Sequence, residues 1–547
     1  MAQQVGDPLP PGDYFGVSVY LPTWKDTLAW AQRDPEFLAT LKTGYPRFFI
    51  PRVVLELATR VLERTQIPFT EPQFAILTAT YRAAECCRSY FAKVGNHDSQ
   101  VICFRFSGEI TVLKEGGGGG NIPSDDTPDK QLYAITYPER WASEGKAFWQ
   151  HTGSGITSRC AVYWLEHAPF LENRQIYTEK TPANLPLEEG NKAVISMRQR
   201  IAESVSSQSL LVQIDDVTLY PAGMSAISNI SLSIRSLFDR QDGIHRVAVF
   251  GFLYVDTFKV LGKIHSMDCT LYGHGTTENL DALENDLEKG LVIDALYTEF
   301  PGNPLLRSPD LERIHQLAQK HGFVVVVDDT VTTSVNLALF PYCDVICTSL
   351  TKMFSGACNV MGGSIVLNSQ SPWFSRLESA MLKHKPEPYF SLDAIVMERN
   401  SRDFTERVLK ASANADIIVD MLRGHPSVDE IFYPKGSSSQ NLYDKFRRSE
   451  GGYGFLVSIR FVTPEAAIAF HDALDVAKGP SLGTNFTLCC AYTLLAHYSE
   501  LEWAAEYGVV EHLVRISVGI ESQDLLRNIV DRALAAAENA LSVLNGS

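Results

Sequence analysis

Lys352 stands where a long cation is hard to place. The stretch SLTKMFSGACNVMGGS (349–364) follows DVICTS, an apolar run ending in hydroxyls, and leads into MGGSIVLN, a second apolar run. Both runs read as buried strands, so the amine between them needs a partner or a task. Upstream, Asp328 comes at the end of the four valines of FVVVVDD. Such a run marks a strand buried on both faces, and a carboxylate there costs free energy unless something polar or cationic meets it. Ser349 and Thr351 flank the lysine with hydroxyls that can donate to a phosphate. Taken alone, a lysine at a strand end is an ordinary solvated residue. In this company it offers an amine able to condense with an aldehyde, beside a carboxylate able to hold a ring nitrogen protonated.

These groups meet only if the chain folds to bring strand ends together. Apolar runs alternate with helical patterns through RVAVFGF, ENLDALENDLEKG, LVIDALYTEF, SPDLERIHQLAQKHG, FVVVVDD, DVICTS and GGSIVLN. That alternation predicts a largely parallel sheet covered by helices. Ligands of such sheets bind beyond the carboxyl ends of the strands, which places Asp328, Ser349, Thr351 and Lys352 on one rim. SPDLERIHQLAQKHG has a helix start at Ser308 with Pro309 in the first turn, and a stop at Gly322. A lysine, a buried-strand aspartate and hydroxyls on one rim are what pyridoxal phosphate (PLP) requires.

Composition narrows the class. The 547 residues carry a net charge of −16, which argues against nucleic acid or an anionic membrane as main partner. No apolar run reaches the about 18 residues of a membrane helix. MAQQVGDPLPPGDYFG lacks the basic and apolar parts of a signal peptide, so the cytosol is expected. The ten cysteines form no C-x-x-C pair and have no histidine at zinc-ligand spacing, so free thiols and no metal are expected.

The chain resembles the Cys/Met-metabolism family of PLP enzymes, in particular its fungal cystathionine γ-synthase branch. VDDT (327–330) and SLTK (349–352) are similar to the family's V-D-N-T and S-A-T-K, one residue closer together, as a loop deletion would make them. The resemblance implies that Lys352 holds the cofactor aldehyde and that Asp328 partners the ring nitrogen. YPAGMSAI (220–227) resembles the S-G-M turn, so Gly223 and Met224 would offer backbone N–H groups to the phosphate at a helix N-terminus. FGFLYVDTFK (250–259) matches Y-G-G-T, and Tyr254 would stack on the ring and assist proton transfer. EFPGNP (299–304) resembles E-x-P-x-N-P, with Asn303 bonded to the phenolic oxygen. HLVRISVGIE (512–521) and GPSLG (479–483) match L-R-x-S-V-G-x-E and S-L-G, so Arg515 and Ser481 would hold the substrate carboxylate.

Three positions depart from the family. GITSRCA gives Thr157-Ser158-Arg159 where members carry Y-S-R. Arg159 is expected to reach a neighbouring subunit's phosphate, which implies a homodimer or homotetramer. The glutamate that follows S-L-G falls at Phe486, and the arginine after Y-G-G-T falls at Lys259.

The resemblance implies a PLP-dependent transferase (aspartate-aminotransferase-like) α/β fold. Residues 1–145 are expected to form an accessory region with a Gly-rich loop at 114–130, residues 146–400 the large PLP-binding domain, and residues 401–547 a smaller C-terminal α/β domain that grips the substrate carboxylate. Within the first region, RVVLELATRVLERT reads as a helix burying Val54, Leu57, Ala58, Val61 and Leu62, and EPQFAILTATYRAAECCRSYFAKV as a second helix with Pro72 near its start. GYGFLVSIRFV and HLVRISVGI read as C-terminal strands, each followed by a helix. The implied reaction is γ-replacement on an O-acyl-L-homoserine, with cysteine as nucleophile to give cystathionine. A carbon nucleophile from a β-keto acid or ester, and elimination by a lyase, are the alternatives.

Overall fold

The computed structural model describes residues 3–65, 67, 69, 71–113, 127–171, 177, 182–208, 210–384 and 386–545. Most of the Gly-rich segment 114–130 lies outside the described residues.

A seven-stranded sheet forms the centre. From edge to edge it runs Val217–Tyr220, Gly363–Leu367, Val345–Thr348, Val324–Asp328, Ala295–Glu299, Arg246–Phe250 and Asp268–Tyr272. All pairings are parallel except those of Gly363–Leu367, which runs antiparallel to both neighbours. The valines of Val324–Asp328 are buried because this strand is internal and covered on both faces. Its odd and even positions feed two different cores: Val325 and Val327 join one apolar cluster, Val324 and Val326 the other.

Helix ends follow local chemistry, with one correction. The helix Leu311–His321 is capped by Asp310, whose carboxylate accepts from the Arg313 N–H at 3.2 Å, and not by Ser308. Ser308 instead donates its own N–H to Ser439 Oγ (3.0 Å). Gly322 ends the helix in the left-handed region at φ +76°, where a Cβ would be strained.

The accessory region differs more. Arg52–Arg64 is a helix as expected, but it buries Val53 alongside Val54, Leu57, Ala58 and Val61, while Leu62 is half-buried. The second expected helix is half strand. Gln73–Thr78 pairs over six residues with Gln131–Pro138 in a four-stranded antiparallel sheet that also holds Val101–Arg105 and Ile110–Leu113. Burying Ile76 and Leu77 in that ladder overrides the local pattern. The helix starts only at Tyr81, where Thr80 Oγ1 accepts from the Ala83 N–H.

The chain ahead of Arg52 is threaded across the C-terminal part of the molecule. Ser18 donates its hydroxyl to the Pro480 carbonyl, Leu21 its N–H to the Lys478 carbonyl (2.8 Å), and Trp24 its N–H to Asp472 Oδ1 (2.7 Å). This route brings Tyr45 and Arg47 to the central sheet's rim.

A five-stranded sheet follows in the order Val428–Phe432, Leu456–Phe461, Val514–Ser517, Leu488–Ala491 and Ala477–Lys478. Thr463 caps the helix Pro464–Ala473, which packs along the long helix Gln523–Asn545. No disulfide joins any two of the ten cysteines. Among the described residues, no helix is long and apolar enough to cross a membrane.

Candidate active site

The carboxyl ends of the central strands open into one cavity. Lys352, Asp328, Tyr254, Gly223, Met224, Asn303, Ser349, Thr351, Ser481 and Arg515 all line it. The sheet explains the convergence. Asp328 and Glu299 are the last residues of adjacent strands, Lys352 follows Val345–Thr348 in a tight turn, and Gly223 opens the helix after Val217–Tyr220. That helix, Gly223–Arg235, is the cradle helix.

Lys352 is buried, yet among the described residues it makes no ion pair. Its Nζ donates to Ser481 Oγ and to Tyr45 Oη, both at 2.9 Å, and lies 4.4 Å from the Tyr45 ring centroid. Ser481 adopts φ +100°, an unfavourable conformation for a residue with a Cβ. That turn aims its hydroxyl at Lys352 while its carbonyl accepts from Arg515 Nη2 at 2.8 Å.

The cradle helix fits a phosphate. Its N-cap is Ala222, which has no side chain able to cap, so its first N–H groups stay free for a ligand. The approach is close: a Cβ on Gly223 would come within 2.8 Å of Ser349 Cβ. A buried cation waits nearby. Arg47 is 4% exposed and donates Nη2 to the Trp149 carbonyl (2.9 Å), but its Nε has no hydrogen-bond partner. Burial lowers its pKa, while Asp256 acts to raise it. An uncapped helix end, a serine hydroxyl and an orphaned guanidinium nitrogen suit a dianionic phosphate.

The pattern of the Cys/Met metabolism PLP-dependent enzymes matches residues 198–535, more than half of the chain. The chain belongs to that family. Its cofactor is pyridoxal phosphate. The N-terminal domain of fungal trans-sulfuration enzymes matches residues 53–157. A cystathionine gamma-synthase-like enzyme of Amanita muscaria is 36% identical, over 98% of this chain and 98% of that protein. A cystathionine gamma-synthase of Neurospora crassa is 34% identical, over 98% of both. Cystathionine gamma-synthase from Xanthomonas oryzae pv. oryzae, solved with aminoacrylate and cysteine, shares the fold. Its TM-score is 0.54 at 23% identity, covering 68% of this chain and 94% of that one.

Two carboxyls, Asp328 and Glu299, share the rim. Burial raises the pKa of Asp328, although Thr330 and Lys352 oppose the rise. Thr330 donates its N–H to Asp328 Oδ1 at 2.9 Å. Burial raises Glu299 too, and Asp328 adds to it. Glu299 accepts from the N–H groups of Tyr254 (2.7 Å) and Asn303 (2.9 Å), and so fixes two cavity residues.

Tyr254 sits in a relay that the sequence did not reveal. Its hydroxyl donates to Asp256 Oδ2 (2.8 Å), and Asp256 Oδ1 meets His151 Nδ1 (2.8 Å) and accepts from Gln150 (3.1 Å). Asp256 is fully buried. Burial pushes its pKa up, but the hydrogen bond to His151, that residue's charge and Arg47 outweigh burial, so the net shift is downward. Burial and the Asp256 charge hold the Tyr254 phenol well above its ordinary range, so it stays protonated. The family's Y-G-G-T has glycine where this chain has Asp256, and that departure was the available signal.

Arg515 is fixed from three sides. Nη1 donates to Asn303 Oδ1 (2.9 Å), Nη2 to the Ser481 carbonyl, and the guanidinium lies 4.7 Å from the Tyr492 ring centroid.

Arg159 is not brought to the cavity. It forms a buried ion pair with Asp393 (3.0 Å) and covers the Phe15 ring at 4.3 Å. Its expected reach to a neighbouring subunit's phosphate is a contact between chains and stands as a proposal, with Asp393 as its partner within the chain. Besides Arg515, the cavity holds Arg47 of Tyr45-Pro46-Arg47, which has the tyrosine-to-arginine spacing of Y-S-R. Lys259 instead meets Glu500 (3.3 Å), and neither Lys259 nor Phe486 lines the cavity.

Proposed function

We propose that the protein catalyses γ-replacement on an O-acyl-L-homoserine, with cysteine as nucleophile. The observation that supports it best is the placement of Lys352 Nζ, held by two neutral hydroxyls in the cavity that also holds Asp328 and Arg515. An amine without a carboxylate partner is free to act as nucleophile and base.

The bound cofactor supplies an electron sink that makes protons next to the amino-acid nitrogen acidic. Asp328 keeps the ring nitrogen protonated. The cradle helix, Ser349 and Arg47 hold the phosphate. Arg515 and Ser481 grip the substrate α-carboxylate and so orient Cα and Cβ towards Lys352. Lys352 Nζ would move one proton at a time: it takes the Cα proton and hands it on before it takes a Cβ proton, and both transfers run backwards once the nucleophile has added. The Cγ–O bond breaks and releases the carboxylate. A Cγ–S bond forms as the thiol loses its proton, giving cystathionine.

A carbon nucleophile is the second reading, and one observation favours it. Arg47 and Arg515 are the only described cavity cations besides Lys352. With phosphate and α-carboxylate taking both, no fixed cation is left for an acceptor's carboxylate. Phe48, Val331, Met361 and Leu495 make the remaining lining apolar, which suits the enolate of a β-keto ester.

Mass spectrometry of products from O-acetyl-homoserine and PLP-loaded protein tests both. Cystathionine from a cysteine reaction supports the first reading. A carbon-extended amino acid formed only with a β-keto ester supports the second. Release of 2-oxobutanoate and ammonia in every reaction, with no adduct, overturns γ-replacement in favour of elimination.

A further inference from the structure

A second cavity, of about 270 Å³, lies outside the catalytic rim. Its walls come from the helix Tyr81–Lys93 of the accessory region, the helix Ala142–Thr152 and the cradle helix. Three cations line it: Arg82, Lys93 and Arg235. Among the described residues none of them makes an ion pair. Arg82 donates to Asn229 Oδ1 (3.1 Å) and the His384 carbonyl (2.7 Å), and Arg235 to the His265 carbonyl (3.0 Å). All three act on one spot, since each adds to the downward shift that burial gives buried His265. Arg235 also lowers the pKa of Lys93, a sign of mutual repulsion.

The cavity also holds a donor with nothing to bond. Tyr90 is 3% exposed, and its hydroxyl has no hydrogen-bond partner. Unpartnered buried hydroxyls are uncommon, because the lost hydration is not repaid. The two carboxyls present do not neutralise the cations. Glu85 is paired with Arg88 at 2.7 Å. Glu387 accepts from Ser154 (2.8 Å) and Asn229 (3.4 Å), and burial disfavours its charged form. Clustered like charges are unfavourable unless an anion lies among them.

We propose that this cavity binds a small oxyanion, the carboxylate or phosphate of a metabolite, between Arg82, Lys93 and Arg235, with Tyr90 donating its hydroxyl. The inference stands apart from the reaction proposed above. It does involve the same helix: Gly223 at one end faces the cofactor cavity, and Arg235 at the other end faces this one. The anion would bridge the accessory region to that helix.

Isothermal titration of the PLP-loaded enzyme tests it, because the cofactor then occupies its own phosphate site. Inorganic phosphate and succinate serve as separate probes at low ionic strength. The expected result is one equivalent per chain of at least one probe, weakened about tenfold or more by Lys93→Gln and by Arg235→Gln. A response to phosphate alone assigns a phosphate ligand, and to succinate alone a carboxylate. The Lys93 side chain is exposed, so its variant reports even if the Arg235 variant fails to fold. Absence of binding by both probes, or equal binding in wild type and Lys93→Gln, overturns the proposal.

Discussion

Glu299 and Asp328 face each other in register at the carboxyl ends of adjacent parallel strands. Two acidic groups thus share one buried rim, and burial raises the pKa of both. A raised carboxyl binds its proton more tightly in the folded chain than in the unfolded one. The stability it contributes is present at low pH and is lost as pH rises through its elevated folded pKa. In cofactor-free protein, Glu299→Gln should therefore remove part of the loss of stability seen above the ordinary carboxylate range. Thermal melting of both proteins across that range checks this. An unchanged slope with pH would show that Glu299 does not titrate there.

Arg47 and Arg159 should respond in opposite ways. Arg47→Gln removes a buried cation beside the cradle helix, so PLP affinity should fall about 10- to 100-fold, the scale of one charge-assisted hydrogen bond. Arg159→Gln leaves Asp393 buried without its cation and should cost about 3–5 kcal/mol of stability, with PLP affinity nearly unchanged. Cofactor titration and urea unfolding of the two variants separate these effects. The reverse pattern would make Arg159 the phosphate residue in place of Arg47.

Lys352→Ala should abolish turnover and the visible absorbance of lysine-bound cofactor, while Tyr45→Phe should keep both. The tyrosine contributes one of two hydroxyl contacts to Nζ, and Ser481 retains the other. Spectra of the loaded variants check this, and retained turnover in Lys352→Ala would sink the proposed role of the amine.

Part of the rim was legible in the residues themselves: Asp328 ends a run of valines and Lys352 stands between two apolar runs. Gly223 and Arg515 have only weak local signals, a helix start and an arginine in an apolar strand, and were expected there from the family resemblance. What escaped were residues placed by long-range threading. Tyr45 and Arg47 reach the cavity because Ser18, Leu21 and Trp24 pin the preceding chain to the C-terminal part of the molecule, Ser18 at Pro480 of the cavity wall, and no local periodicity encodes that route. Gln73–Thr78 escaped for a similar reason. Its apolar residues fit a helix as well as a strand until Gln131–Pro138 pairs with it. Glu299 was visible in EFPGNP, but its task depends on which N–H groups the turn brings within reach.

The Tyr254–Asp256–His151 relay predicts a defect in rate with little change in binding. Asp256→Asn preserves shape but removes the buried charge that holds the Tyr254 hydroxyl and partners His151. Tyr254 should lose its fixed orientation, and kcat should fall about tenfold or more, at the lower end of general acid–base effects, with KM for the amino acid nearly unchanged. Steady-state kinetics with a melting curve tests this. A rise in KM alone would instead place Asp256 in substrate binding.

Arg515 allows a sharper test of carboxylate recognition. Its guanidinium is already oriented by Asn303, the Ser481 carbonyl and the Tyr492 ring, so little further ordering is needed when a carboxylate arrives. A planar fork can give two parallel charge-assisted bonds, whereas lysine offers a single point charge. Arg515→Lys should therefore raise KM for the O-acyl-homoserine by about 10- to 100-fold, for the loss of roughly one charged hydrogen bond. PLP affinity should change little, because in the proposed arrangement the cradle helix and Arg47, and not Arg515, hold the phosphate. The discriminating substrate is the matching amine lacking the α-carboxylate. Wild type and Arg515→Lys should process it equally poorly, because the group that distinguishes them is absent. If the variant loses activity on both compounds in the same proportion, Arg515 supports the fold of the cavity and does not read the carboxylate.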